Sequence, residues 1–88
     1  MENNNKTVFE VRQVDAWYYD DNWSYNASYF LFNFSTCAKN EKKAFTQALK
    51  KHGITFKKNR TIIDFDGSIF EILDRKTKEP LFCAIPLV

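Results

Sequence analysis

Residues 17–34 read WYYDDNWSYNASYFLFNF, and this stretch decides the fold. Asp20, Asp21 and Asn22 form a cluster of turn residues, whose short polar side chains bond back to the local backbone. Aromatic runs of high β-propensity lie on both sides of it. Downstream, Trp23–Phe34 alternates. Asn26, Ser28, Phe30, Phe32 and Phe34 fall on one face, and Tyr25, Ala27, Tyr29, Leu31 and Asn33 on the other. Upstream, Thr7–Tyr19 reads as a partner strand, with a break expected near Asp15. Two strands across a short polar turn make a hairpin. The run Tyr29–Phe34 is uncharged and strongly β-prone. Left on a sheet edge it would invite aggregation, so it is expected in a central strand or under a second copy in a dimer.

Beyond the hairpin the period changes. Asn40 is placed as the N-cap of a helix reaching about His52, with Gly53 as the left-handed residue that ends it. Ala44, Phe45, Ala48 and Leu49 make one apolar stripe. Ile54 and Phe56 anchor the connection that follows. Thr61–Phe65 is read as a third strand, and Asp66-Gly67 as a two-residue type I′ turn. Ile69–Leu73 is the fourth strand, Arg75–Pro80 a polar turn, and Leu81–Ile85 the fifth strand. Pro86 is expected to end that strand or mark an edge. The order ββαβββ predicts a small α+β domain over residues 7–88, mainly an antiparallel sheet with one amphipathic helix packed on it. Met1–Lys6 reads as a disordered tail.

Eighty-eight residues suffice for one core and one shallow site. The aromatic share, 17%, exceeds what so small a core needs, so some rings are expected at the surface. Trp17 and Tyr18, adjacent in a strand, point to opposite faces, so at least one should be exposed or covered by a loop. Two cysteines, Cys37 and Cys83, fit a reducing compartment better than a disulfide scaffold. Met1–Lys6 is polar and no apolar run approaches a membrane span, so a cytoplasmic location and no membrane partner are expected. Asn-x-Ser/Thr triplets, among them those at Asn26, Asn33 and Asn59, are then chance matches.

Charge is unevenly divided along the chain. Thr36–Arg60 holds eight cations against Glu41 alone, a surplus of seven, between two mildly acidic segments. Lys50 and Lys51 sit in the last helical turn, where cations suit the helix dipole; Lys42 and Lys43 sit in the first, where they do not. A solvated helix face explains the lysines, and so does a negatively charged partner. The anion-binding candidates are Lys42, Lys43, Lys50, Lys51, Lys57, Lys58 and Arg60.

Chemistry-bearing constellations are not legible. His52, the single histidine, falls near the centre of the apolar stripe and reads as a partly buried residue at a helix end. No nucleophile can be paired with it from spacing. One histidine and two distant cysteines give no zinc-ligand spacing. Asp15, Asp20, Asp21, Asp64 and Asp66 read as solvated turn carboxylates rather than a cation site. Gly53 and Gly67 have structural roles, so no phosphate loop is available. No cofactor, metal or catalytic residue is assigned.

Trp17, Tyr19, Trp23 and Tyr25 cluster about the hairpin turn. Exposed Trp and Tyr anchor protein partners. The expectation is a small non-enzymatic binding module acting on another protein, in keeping with the Asn-, Lys- and Phe-rich look of phage and mobile-element proteins. The alternative is a nucleic-acid-binding module that uses the basic helix face. Stacking aromatics and lysines lie on different elements, and a sequence pI near 8.6 is modest for such a role.

Overall fold

The computed structural model describes residues 6–37, 39–57 and 59–87. Its elements follow the expected order: β1 (Lys6–Tyr19), β2 (Asn22–Cys37), α1 (Glu41–Lys51), β3 (Thr61–Phe65), β4 (Phe70–Asp74) and β5 (Pro80–Leu87). The strands form one antiparallel sheet in the order β2-β1-β5-β4-β3, and α1 covers one face. The expected α+β class and ββαβββ order are therefore present. Residues 1–5 of the expected tail lie outside the described residues, whereas Lys6 opens β1 opposite Cys37.

The hairpin forms as read, with Tyr19 opposite Asn22 and a two-residue turn at Asp20-Asp21. Both turn residues have positive φ, 54° and 63°, which is the type I′ conformation that suits strand twist. Of the two settings expected for β2, the central one is excluded: it is an edge strand, because β5 takes the place beside β1. Alternation along β2 also fails. Val11 pairs Phe32, Arg12 pairs Phe30 and Val14 pairs Ala27, so β2 carries two extra residues in that interval. Each extra residue shifts the face parity by one. Phe32 and Phe34 therefore face the helix, while Phe30 faces the opposite side with Arg12. The break expected near Asp15 is absent: β1 runs unbroken through Asp15, which pairs Asn26 in regular register, and the irregularities lie between Val11 and Val14 with their extra residues on β2.

Helix α1 buries Phe45 and Leu49, one side of the expected stripe, and leaves Ala44 and Ala48 half-buried. Asn40 occupies the N-cap position, but its side chain makes no cap bond. Gly53, at φ 75°, ends the helix. Ile54 N–H donates to Leu49 O at 2.9 Å and Gly53 N–H to Lys50 O at 3.0 Å, a Schellman arrangement. It turns Ile54 and Phe56 onto the core.

The core is chiefly a phenylalanine cluster. Phe9, Phe34, Phe45, Phe65 and Phe70 come from β1, β2, α1, β3 and β4, and their ring centroids lie 4.2–5.4 Å apart along the chain of contacts. Phe70 and Phe45 are fully buried. A handful of large rings thus gives a short chain one shared core.

One turn and one strand end differ from expectation. The β3–β4 loop spans Asp66–Ile69 rather than two residues, since Phe65 pairs Phe70. Asp66 Oδ1 accepts the N–H groups of Ser68 and Ile69, so a side-chain turn replaces the type I′ backbone turn. Strand β5 runs past Pro86, which pairs with Phe9. Pairing of β5 with β4 stops at Ala84, so Pro86 has no neighbour on that side and stands at a local edge, the second of the two settings expected for it. Pro80 is placed likewise, beyond the last β1 partner at Phe82.

Candidate functional site

The distal half of the hairpin extends past its last β5 partner, Gln13, and curls over the sheet face opposite α1. Two bonds hold it there. The Trp23 indole donates to Thr77 O at 3.0 Å, and the Tyr25 hydroxyl donates to the Glu71 carboxylate. Beneath lies Cys83, fully buried beside Glu71. Burial, and after it the Glu71 carboxylate, pushes the Cys83 thiol up to about 11. Burial and the same carboxylate push the Tyr25 hydroxyl above the ordinary tyrosine value.

The four aromatic candidates are therefore divided. Trp23 and Tyr25 are half-buried and engaged with the β4–β5 end of the sheet. Trp17 and Tyr19 lie on the other face of the ribbon, opposite Ser24 and Asn22, and are 46% and 76% exposed. Tyr18 stacks edge-on against Trp23 yet is exposed too, so both members of the Trp17-Tyr18 pair reach the surface.

The basic candidates divide as well. Lys42, Lys43, Lys50, Lys51, Lys57 and Arg60 are exposed, and Lys58 lies outside the described residues. Lys42 and Lys50, two turns apart on α1, line a groove of about 530 Å³ between the helix, residues 54–56 and β3. Lys43 and Lys51 point elsewhere on the helix. The lining also includes Leu49, Ile54, Phe56, Ile62 and Ile63, with Thr46, Thr55 and Thr61 adding hydroxyls. Arg75 stands at the β3 end, donating to Thr61 O at 3.2 Å. No acidic side chain lines this groove among the described residues. Thr61, Ile62 and Ile63 are consecutive. Neighbours along a strand face opposite ways, so a surface touching all three reaches the open edge of β3, which pairs only with β4.

Sequence reasoning missed this groove. Arg75 read as a turn residue and β3 as an ordinary strand. Only the sheet order makes β3 an edge, and no local signal states that order.

His52 is exposed rather than partly buried. Its ring stacks flat on Phe32, 4.0 Å between centroids, which covers one imidazole face and leaves the other to solvent. Asp66 and Asp74 are turn carboxylates. Each accepts two backbone N–H groups, and these bonds hold both below the usual aspartate value. Among the described residues no group of three His, Cys, Asp or Glu side chains is placed to hold a metal ion. No described helix is long and apolar enough to cross a membrane. No family model, curated protein or solved structure matches the chain.

Proposed function

We propose that this protein is a protein-binding module whose α1–β3 groove takes an extended, acidic peptide segment of its partner. The observation that carries the reading is the lining: an apolar floor, three cations and an open strand edge in one place. A free edge supplies main-chain donors and acceptors for an added strand, and pockets beside it read the added side chains. Lys42, Lys50 and Arg75 favour carboxylates over ammonium groups on that strand. The groove volume falls in the range of sites that hold a few side chains. The partner is thus recognised by alternating apolar and acidic residues.

Fluorescence anisotropy with a labelled strand-forming peptide of alternating Val and Glu tests this. Saturable binding that fails for the Val–Lys counterpart, and that Lys42→Glu with Lys50→Glu abolishes, is the expected result. Equal affinity for both peptides, or binding indifferent to the two substitutions, would sink the reading.

A second reading, binding to nucleic-acid phosphates, draws on the exposure of all four helix lysines. It is limited to backbone contact. Trp17 lies six residues beyond Val11, the last β1 residue in the helix-covered core, or about 20 Å along the strand. Duplex and single-stranded binding that weakens steeply with salt, and vanishes when Lys43 and Lys51 become Glu, would favour this second reading.

A further inference from the structure

Sixteen consecutive residues of β2, Asn22–Cys37, contain no charged side chain, and β2 is an edge. Natural edges are ordinarily guarded by charges, by proline, by brevity or by bulges. This one has no charge and no proline, and it is the longest strand of the five. Its two bulges lie between Ala27 and Phe32. Beyond them Phe32–Cys37 runs in unbroken register with Val11–Lys6, leaving six regular residues, about 20 Å, with an unpaired outer side. Next to this segment, Tyr29 and Phe30 are 69% and 49% exposed.

The helix above that edge is suited to a neighbour. At 100° per residue, Lys42 and Lys50 fall on the groove side of the buried Phe45–Leu49 line. Ala44, Ala48 and His52 fall on the opposite side, above β2, where His52 stacks on Phe32. This flank carries Ala44, Ala48 and His52 together with one charge of each sign, Glu41 and Lys51, so it has no net charge to oppose a second copy.

We infer that Phe32–Cys37 pairs antiparallel with the same segment of a second copy, joining two five-stranded sheets about a two-fold axis. An uncharged strand meets no like-charge repulsion when it pairs with itself. The two-fold arrangement uses the same edge on both subunits, so assembly stops at two. The α1–β3 groove stays open at each outer end. This inference does not depend on what that groove binds.

Size-exclusion chromatography with light scattering on the purified chain tests it. A particle of twice the chain mass is expected. Asn33→Lys with Ser35→Lys places two charges on exposed positions of the segment. The double variant should halve the particle mass while keeping the far-ultraviolet circular dichroism of the folded chain. Ser35→Lys alone should weaken the dimer and give a mass that depends on concentration. A wild-type monomer at the highest soluble concentration, an assembly larger than two, or a dimer that both variants leave intact would each overturn the inference.

Discussion

Tyr25 and Glu71 stand forty-six positions apart and meet in one hydrogen bond, with the tyrosine hydroxyl donating to the carboxylate. With Trp23 and Thr77 it pins the curled end of the hairpin onto the sheet. Tyr25→Phe keeps the ring and removes the donor. A half-buried carboxylate then loses its partner, at a cost of about 1–2 kcal/mol. Urea unfolding followed by tryptophan fluorescence should show a lower midpoint with an unchanged slope.

The fold should weaken in alkali. Tyr25 and Cys83 both hold their protons more tightly when folded than when unfolded. Their contribution is complete below the ordinary values of 9.0 for cysteine and 10.0 for tyrosine, and it declines as pH rises past them. For Cys83 the decline ends near its folded value of about 11. Denaturation midpoints taken from neutral to strongly alkaline pH should fall over that window, and Cys83→Ala should make the fall begin later.

Removal of one central ring should unfold the chain. Phe70 touches Phe9, Phe45 and Phe65 and has no exposed surface. Phe70→Ala costs about 3–5 kcal/mol, comparable with the whole stability of many domains. Circular dichroism should show the native signal lost or the melting temperature sharply lowered, with Phe70→Leu retaining more of both.

The hairpin tip leaves room for improvement. Asp20 and Asp21 both hold positive φ and set two carboxylates side by side. Asp20→Asn with Asp21→Gly supplies the pair preferred in type I′ turns. Relief of backbone strain and repulsion should raise stability by about 0.5–1 kcal/mol, seen as a higher thermal midpoint.

The helix end responds in the opposite sense. Gly53 sits at φ 75°, and a β-carbon there would meet nothing within 4 Å. The cost of Gly53→Ala is therefore conformational, about 1 kcal/mol. A thermal midpoint unchanged by this substitution would contradict the left-handed cap.

The order and type of all six elements were legible in the sequence because each has its own local signal. Asp20-Asp21-Asn22 marks one turn, Gly53 a helix end, and Ala44–Leu49 a stripe of helical period. Strand order was not legible. Nothing local to Pro80–Leu87 says that it slides between β1 and β4, so the sequence leaves a central β2 and a β2 covered by a second copy equally open, and only the sheet order removes the first. The bulges were also hidden, since Phe30, Phe32 and Phe34 look alike in a pattern of period two. The candidate site suffered most from this. Lys42 and Lys50 were named for their charge, but their groove mates Ile63 and Arg75 come from elements whose positions depend on that same strand order.

The central place of β5 has a consequence for the order of events during synthesis. β1 with β2, and β3 with β4, are neighbours along the chain and each pair can zip as its residues leave the ribosome. Neither pair touches the other through the sheet until residues 80–87 arrive between them. A nascent chain is therefore two separate hairpins, one of them carrying an uncharged sixteen-residue strand, until its last strand emerges. The uncharged strand is most exposed to pairing with other chains in that interval, before the native sheet exists.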